Sequence, residues 1–199
     1  MTMSYKRKAQ ELKRELILEE ATRLFIQDGY ENMKISELAK NAGVSIGVIY
    51  TLFGSKETLY NHYVMGQIEF YIEIIKDELE CHTDTIEKLK AVTKIKFSAY
   101  IKNRNALKES IISDPTFFLN VSSDEDDPIM HMNRYITQEV MEPLATFLKC
   151  DKSGLELFFL YDGITFGMIK YWIVTGGDLM GRVDEAVEHL MRILNTNVK

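Results

Sequence analysis

Residues 43–60, GVSIGVIYTLFGSKETLY, combine hydroxyl groups, small residues and one cation at spacings that suit a helix surface. Ser45, Tyr50 and Thr51 can donate hydrogen bonds to phosphate oxygens. Lys56 adds a positive charge next to the backbone amides of a helix N-terminus, which also attract anions. The residue types and their order therefore favour contact with a polyanion backbone.

A pair of short helices is predicted to position these side chains. Ser36 and Ser45 are residue types that cap helix N-termini, and Gly43 suits the end of the first helix. A helix, a short turn with glycine and a second helix make the helix-turn-helix plan, whose second helix lies in the major groove of DNA. Gly47 permits close approach of the backbone there. Six apolar residues are predicted to form the core with the preceding helix: Ile35, Leu38, Ala42, Val44, Ile49 and Phe53.

The preceding helix and the basic residues before it complete the predicted unit. Apolar residues recur at spacings of three and four over residues 10–27, and Gly29 suits the left-handed position after a helix end. The first fourteen residues hold five basic side chains against one acidic side chain. We expect this arm to approach DNA through Lys6, and a disordered, solvated tail is the alternative.

The net charge of −6 does not exclude nucleic acid, because the charge is distributed unevenly. Residues 1–60 contain nine Lys/Arg against eight Asp/Glu, whereas the remaining residues contain fifteen against twenty-two. The acidic excess therefore lies outside the segment that carries the helix-turn-helix pattern.

The rest of the chain also has the composition of helices, so the predicted fold class is all-α. Three prolines and eleven glycines leave long intervals rich in helix-forming residues. A long helix is predicted over residues 56–80, and Pro143 is expected to kink a later one. Further helices are predicted over 84–102, 104–112, 129–150, 154–175 and 183–195, with a break at Asp114-Pro115 and a polar loop over 121–127.

Enzyme and metal sites receive no support from the sequence. Cys81 and Cys150 lack the spacing of a disulfide framework or a metal site, and the four histidines fall at no ligand spacing. No nucleophile elbow or phosphate-binding loop is found. We therefore predict no enzymatic activity, no metal and no cofactor.

The most apolar window, residues 155–174, has about the length of a membrane span. Glu156, Asp162 and Lys170 lie within it and are costly in lipid, which favours a buried helix. The basic opening of the chain is not followed by the apolar segment of a secretory signal. We expect no membrane association and a cytoplasmic location.

From Leu24 to Leu59 the sequence resembles the DNA-binding domain of TetR-family transcriptional regulators. That family has the approximate signature AGVSxGxxYxxFxSKExL, and this chain reads AGVSIGVIYTLFGSKETLY. Leu24-Phe25 and Gly29-Tyr30 also agree with the family. The matching signature positions include Gly43, Val44, Ser45, Gly47, Tyr50, Phe53, Ser55, Lys56, Glu57 and Leu59.

The resemblance implies a protein of two parts. Residues 1–55 are expected to be a three-helix DNA-binding domain with a basic arm, and a long helix joins it to a ligand-binding and dimerising domain of residues 56–199. The implied function is a ligand-responsive transcriptional regulator, in the first place a repressor. It would bind a palindromic operator as a homodimer and be released by a small, largely hydrophobic effector. The alternative is a ligand- or partner-binding helical protein that has lost specific DNA reading.

The predicted DNA-binding residues include departures from the family pattern. The family usually carries a basic residue at the position of Ile46, a polar one at Val48, and often His or Asn at Leu52. An apolar side chain can contact the methyl group of thymine. We predict that Ile46 or Val48 contacts thymine, and the alternative is that both cover neighbouring side chains. The full predicted set is Lys6, Ser36, Ser45, Ile46, Gly47, Val48, Tyr50, Thr51 and Lys56.

The resemblance also implies a cavity in the second domain that binds a small molecule. Aromatic and polar side chains on otherwise apolar segments are the candidates to line it, and a structural role is the alternative for each. The candidates are Phe97, Tyr100, His131, Tyr135, Asp162 and Phe166.

The last two predicted helices are expected to pair with their copies in a second subunit, as the resemblance implies. Gly163 and Gly167 lie four residues apart and would permit close crossing of helices. A purely intramolecular role for the same stripe is the alternative. The candidate interface residues are Phe158, Phe159, Gly163, Phe166, Gly167, Leu190 and Ile193.

Overall fold

The structure, a computed structural model, describes residues 2–113 and 128–195. Within these ranges the chain is helical and has no strand, which confirms the predicted all-α class. A π-helical turn, Thr137–Met141, and a 3-10 turn, Met180–Arg182, accompany the α-helices. The α-helices are α1 Thr2–Asn32, α2 Ile35–Asn41, α3 Ile46–Phe53, α4 Lys56–Glu80, α5 Thr85–Lys102, α6 Arg104–Ser113, α7 Pro128–Ile136, α8 Glu142–Leu148, α9 Gly154–Thr175 and α10 Val183–Asn195.

Contacts divide the described residues into two compact units. Unit 1 comprises those of Met1–Gln67 and Asn103–Pro115, and unit 2 comprises those of Ile68–Lys102 and Thr116–Lys199. Helix α4 therefore contributes residues to both units, and α6 belongs to unit 1. The division predicted from the sequence lies at residue 55, ahead of α4, and remains a prediction about where DNA binding ends and ligand binding begins.

Unit 1 extends beyond the helix-turn-helix because aromatic side chains of α4 are part of its core. The Phe25 ring of α1 packs against the rings of Tyr60 and Tyr63, with centroid distances of 5.1 and 5.2 Å. The Tyr60 hydroxyl donates to the Ala106 carbonyl at 2.8 Å, and the Tyr63 hydroxyl donates to Asn103 Oδ1 at 2.6 Å. The six apolar residues predicted for this core all contribute, with Leu38, Ile49 and Phe53 buried and Ile35, Ala42 and Val44 packed against them.

Gly29 ends the first helical run of α1, where the sequence predicted a helix end, and a short further turn follows it within α1. Its φ of 80° and ψ of 174° leave the helical region, and the helix resumes as far as Asn32. A Cβ at this position would lie 2.7 Å from the carbonyl oxygen of Asn105 in α6. The Asn105 side-chain amide donates to the Gln27 carbonyl at 3.0 Å, so the glycine lets α6 approach the end of α1 closely.

Of the two serines predicted to cap the short helices, one caps its helix and the other does not. Ser45 caps α3 as predicted, with its hydroxyl oxygen accepting from the Val48 amide at 3.4 Å. Ser36 does not cap α2, because α2 begins at Ile35 and its N-cap is Lys34, which makes no side-chain cap hydrogen bond. Ile35 packs against the core of unit 1, and this packing explains the earlier start of the helix.

Unit 2 has a core of leucine and aromatic side chains from α4, α5, α8, α9 and α10. Leu89, Leu144 and Leu157 are completely buried in it. The bounds of α4, α9 and α10 are those predicted from the sequence. The predicted break at Asp114-Pro115 and the predicted loop over residues 121–127 lie outside the described residues.

The irregularity predicted at Pro143 takes the form of a π-helical turn just before it. Pro143 has no N–H to donate to the carbonyl of Glu139, and its ring crowds that carbonyl. The segment Thr137–Met141 widens to π geometry, and α8 starts at Glu142 with the proline in its first turn.

Helix α9 is long and apolar enough to cross a membrane by length and composition alone. Core helices of soluble proteins satisfy the same criterion. Tyr161, Ile169 and Trp172 on one side of α9 are buried within unit 2, in agreement with the predicted buried helix.

Candidate nucleic-acid interface

Helix α3 is attached to unit 1 by its buried side. Ile49 is 1% exposed and Phe53 is 3% exposed, one turn apart in the core. Ser45 caps the first turn, and the Gly54 amide closes the last turn by donating to the Tyr50 carbonyl at 2.9 Å. The opposite side of α3 is left facing solvent.

The solvent side of α3 carries most of the residues that the sequence predicted for DNA contact. Ile46 is 44% exposed and Tyr50 is 47% exposed, and the residue after each of them, Gly47 and Thr51, is also exposed. A Cβ at Gly47 would touch only the Ser45 hydroxyl oxygen, at 3.8 Å, so this part of the helix backbone is open to approach. The Thr51 hydroxyl donates to the Gly47 carbonyl at 2.8 Å and must rotate to donate to a phosphate.

The structure separates the two residues that were predicted to contact thymine. Val48 is half-buried and packs against the core of unit 1, as the alternative interpretation proposed for it. Ile46, the first residue of α3, is exposed and is not part of that core. Of the two, Ile46 is therefore the more exposed side chain.

Lys56 lies at the start of α4 and already has intramolecular contacts. Its Nζ donates to the Glu31 carbonyl at 3.3 Å and lies 4.8 Å from the centre of the Tyr30 ring. Ser55 caps α4 by accepting from the Thr58 amide at 3.0 Å. The roles of Tyr30 and Glu31 in holding Lys56 were not predicted, since their contacts to Lys56 span 25 or more residues of sequence. A phosphate would have to compete with the Glu31 carbonyl for this amine.

Of two further residues predicted to contact DNA, the structure describes the side chain of Ser36 but not that of Lys6. Ser36 is exposed in the first turn of α2. The side chain of Lys6 lies outside the described part of the chain, although the backbone of α1 is helical from Thr2. The basic arm is thus the first part of α1 and not the disordered tail of the alternative.

The residues predicted to line one ligand pocket are found at two places in unit 2. His131 and Tyr135 of α7 line an open groove of about 710 Å³ opposite Lys76 of α4, with Arg134 also on its wall. The remaining lining residues are Glu69, Ile72, Glu73, Pro128 and Gln138. Phe97, Tyr100, Asp162 and Phe166 do not line this groove.

Asp162 belongs instead to a polar contact between α5 and α9. The Lys96 amine donates to Asp162 Oδ1 at 2.6 Å and to the Thr165 hydroxyl at 2.8 Å. The Thr93 hydroxyl donates to the Tyr161 hydroxyl oxygen at 3.2 Å. Burial raises the pKa of the Tyr161 phenol, and it also raises the pKa of the nearby Tyr100 phenol. Both phenols therefore stay neutral and can act as hydrogen-bond donors.

The residues predicted for the dimer interface differ in their exposure. Phe158 and Leu190 are buried in the core of their own unit, so they are not available to a second subunit. Phe159 is 56% exposed and Ile193 is 43% exposed. Gly163 and Gly167 are also exposed, and a Cβ added to either glycine would meet no other atom within 4 Å. Phe166 is half-buried beneath the Lys170 amine, which lies 4.6 Å from its ring centre.

The exposed residues of α9 form a longer stripe than the sequence predicted. Residues spaced by three or four along α9 place large side chains and glycines on one face of the helix. This α9 stripe consists of Leu155, Phe159, Gly163, Gly167, Tyr171 and Val174, all exposed.

No group of three or more His, Cys, Asp or Glu side chains suited to a metal ion occurs in residues 2–113 and 128–195. Cys81 is exposed at the end of α4, and Cys150 is half-buried, each as a free thiol.

Residues 17–63 match the family model of the bacterial regulatory proteins of the tetR family. The matched segment contains α2, α3 and the start of α4, and therefore the whole exposed face of α3.

Curated relatives are regulators by name. The chain is 33% identical to the HTH-type transcriptional regulator HbdR of Aromatoleum sp. (strain CIB), over 40% of this chain and 34% of that protein. It is 28% identical to the fatty acid metabolism regulator protein of Bacillus subtilis (strain 168), over 45% of this chain and 46% of that protein. The aligned parts cover less than two thirds of these relatives.

Solved structures share the fold over nearly the whole chain. The fatty acid degradation regulator FadR from Bacillus halodurans superposes with a TM-score of 0.69 at 20% identity, covering 89% of this chain and 94% of that one. The transcriptional regulator FadR from Bacillus subtilis, solved in complex with stearoyl-CoA, gives 0.64 at 21% identity, covering 88% and 96%. At these identities the similarity shows the fold alone.

The signature residues of the sequence, the exposed face of α3 and the matched segment point to one class of protein. They do not favour the alternative of a helical protein without DNA reading. Residues 17–63 are thus a segment of the kind found in the tetR family of bacterial regulatory proteins, and the similar proteins support a TetR-family regulator.

Proposed function

We propose that this protein is a ligand-responsive transcriptional regulator that binds a palindromic operator as a homodimer and acts as a repressor in the bacterial cytoplasm. The observation that carries the proposal is the exposed face of α3. It joins Ile46, Gly47, Tyr50 and Thr51 on a helix whose other side is buried in unit 1. A helix presented in this way fits the major groove.

The proposed contacts divide into those that position α3 and those that read sequence. The hydroxyls of Ser45 and Tyr50 and the amine of Lys56 contact phosphates, which fixes the register of the protein on DNA. Ile46 contacts the methyl group of a thymine, which distinguishes that base from the others. The operator is therefore expected to carry a thymine at one position of each half-site.

A second subunit is needed because one helix-turn-helix reads only a short half-site. The α9 stripe is the proposed contact between subunits. Its large exposed side chains, Leu155, Phe159, Tyr171 and Val174, would be removed from water, and Gly163 and Gly167 would let the helices cross closely. The two α3 helices would then meet half-sites about 34–36 Å apart, or a multiple of that distance.

The proposed effector is an amphipathic molecule with a long apolar part and one polar end. A relative of this fold has been solved with stearoyl-CoA, and that molecule has this character. The groove between α4 and α7 has Lys76, Arg134 and His131 on its wall, together with Glu69 and Glu73. The Lys76 amine donates to Glu73 Oε1 at 2.7 Å, so an anionic end of the effector has to compete with this carboxylate. Stearoyl-CoA is therefore the first probe, with free CoA as the matched control that lacks the apolar chain.

Effector binding must favour one conformation to release DNA. A ligand shifts a two-state equilibrium only through its difference in affinity for the two states, and about a 10⁴-fold preference takes the ratio from 1:99 to 99:1. Helix α4 is the proposed element of response, since it contributes Lys76 to the groove and Lys56 to the α3 end of unit 1.

The test of DNA reading is selection from a random duplex pool by the purified protein. We expect an inverted repeat whose affinity falls steeply with salt, because phosphate contacts release counterions. Stearoyl-CoA, and not free CoA, is expected to weaken that complex. Enrichment of no sequence with or without stearoyl-CoA would contradict the proposed function.

A further inference from the structure

Arg14 of α1 makes three contacts, two with the C-terminal end of α3 and one with His62 of α4. Its Nη1 donates to the Leu52 carbonyl at 2.6 Å, and its Nη2 contacts His62 Nε2 at 2.6 Å. Its guanidinium carbon lies 4.5 Å from the centre of the Phe53 ring, and the His62 ring packs against the same ring at 5.7 Å. We refer to Arg14, Leu52, Phe53 and His62 as the Arg14 cluster.

The cluster satisfies a backbone group that α3 leaves unpaired. The last carbonyls of a helix have no partner within the helix. The Tyr50 carbonyl accepts from the Gly54 amide, and the Phe53 carbonyl accepts from the Ser55 amide. The Leu52 carbonyl accepts from Arg14 instead, and a cation at this end is also favoured by the helix dipole. Arg14 thus ties the end of α3 to α1.

The Arg14 contact requires an uncharged His62 ring. A guanidinium has only donors, so His62 Nε2 accepts and the ring proton is on Nδ1. Burial, and second the charge of Arg14, lower the pKa of His62 below its ordinary value. Facing His62 are the guanidinium of Arg14 from α1 and the uncharged Phe53 ring from α3. A proton on Nε2 removes the acceptor and places two cations together.

We propose that Arg14 is a positioning residue for DNA reading, which holds the C-terminal end of α3 in place while His62 is neutral. The inference rests on the proposed function, because the position of α3 matters for reading the operator. Arg14 and His62 act through α3 and not by contact with DNA. Neither residue is part of the exposed face of α3.

Acidification then loosens α3. Because the pKa of His62 is lowered in the folded chain, the contribution of the neutral ring to stability is fully present above about pH 6.5, the ordinary value for histidine. It is lost as the pH falls toward the folded-state pKa. DNA affinity is expected to fall over the same range of pH.

The first test needs no DNA and measures amide hydrogen exchange of residues 46–54, corrected for intrinsic rates. Arg14→Met keeps the length of the side chain and removes its charge and its donors. The matched control is Arg23→Met, an exposed arginine of the same helix that pairs with Glu20. We expect exchange in α3 to accelerate about tenfold in Arg14→Met, the range for losing a charged hydrogen bond, and to stay unchanged in Arg23→Met. Equal exchange in the two variants would overturn the proposal.

The second test measures the pH profile of affinity for the duplex that the wild type selects. Wild-type affinity is expected to fall by about tenfold between about pH 7.5 and pH 5.5. His62→Gln keeps an uncharged acceptor, so it is expected to bind normally at the higher pH and to lose this fall. His189→Gln, at an exposed histidine of α10, is expected to keep it.

The outcomes separate this inference from the proposed function. A wild-type pH profile in His62→Gln would overturn the role of His62. A salt slope lowered by about one in Arg14→Met, with all duplexes weakened alike, would make Arg14 a phosphate contact and overturn positioning. If α3 loosens in Arg14→Met but the wild type selects no duplex, the proposed function fails while the Arg14 contact stands.

Discussion

Helix α3 of unit 1 and helix α9 of unit 2 both leave apolar side chains in water, but in different surroundings. On α3 the exposed Ile46 stands among glycine and hydroxyl groups, next to Tyr50. On α9 large apolar residues recur along one face from Leu155 to Val174. An isolated apolar side chain on a polar face suits a base edge, whereas a continuous stripe suits another apolar helix. The arrangement of exposed apolar residues, and not their number, therefore distinguishes the two proposed partners.

The largest expected effect is a difference in the free energy of unfolding between a variant on the buried side of α3 and one on its exposed side. Ile49→Ala removes a side chain that is 1% exposed, so the free energy of unfolding is expected to drop by about 2–5 kcal/mol. Ile46→Ala removes a side chain that is 44% exposed, and the free energy of unfolding is expected to change by less than about 0.5 kcal/mol. Denaturant unfolding measures both. Equal losses would mean that Ile46 is part of the folded core.

The second prediction concerns the α9 stripe. Phe159→Glu places a charge in the proposed subunit contact and is expected to dissociate the dimer, with operator affinity lowered by more than about a hundredfold. Phe147→Glu is the matched control, because Phe147 of α8 is 63% exposed and lies outside the stripe. Sedimentation velocity gives the oligomeric state. If Phe147→Glu dissociates the protein and Phe159→Glu does not, the stripe is not the interface.

A third prediction tests the phosphate contact of Lys56. Lys56→Gln is expected to weaken binding to all duplexes alike and to reduce the salt slope by about one. Lys94→Gln, at an exposed lysine of α5, serves as the control for loss of charge. A shift in base preference with an unchanged salt slope would assign Lys56 to base reading instead.

The smallest expected effect concerns the Tyr50 hydroxyl. Tyr50→Phe removes one neutral hydrogen bond to phosphate and is expected to weaken operator binding about three- to tenfold, measured by fluorescence anisotropy. The same change at Tyr171, which is 61% exposed on α9, keeps the apolar ring in the proposed subunit contact and removes only a hydroxyl away from α3, so operator affinity is expected to stay unchanged. An effect at Tyr171 equal to that at Tyr50 would remove the distinction between the two helices.

The helix-turn-helix part of unit 1 could be predicted from the sequence because its signals are local. Ser45 is next to the helix that it caps, and Ile49 and Phe53 mark the buried side by their spacing. The long helix α4 also has its predicted bounds, since capping residues and unbroken helix-forming residues define it. The N-cap of α2 is Lys34, although Ser36 was predicted for this role. The packing of Ile35 in the core of unit 1 thus overrides a favourable capping residue.

The sequence was less informative about unit 2 because α9 is apolar around most of its circumference. On such a helix periodicity cannot tell which apolar face meets the core of the same chain. Phe158 and Phe159 are neighbours in sequence, yet the first is 5% exposed and the second 56%. Leu190 was assigned to the interface for the same reason and is buried.

Contacts between distant residues could not be predicted from spacing at all. Arg14 and His62 are 48 residues apart, and neither lies in a pattern that indicates the other. Lys96 and Asp162 are 66 residues apart and pair across α5 and α9. In both cases the partner is determined by how helices pack, which a single sequence does not display.

The most direct measurement of the central claim, that the exposed face of α3 reads base edges, is parallel selection from one random duplex pool by the wild type and by Ile46→Lys. We predict an inverted repeat for both proteins, with thymine selected by the wild type at one position of each half-site and a different base selected there by the variant. Identical motifs from the two proteins, or no motif from either, would contradict it.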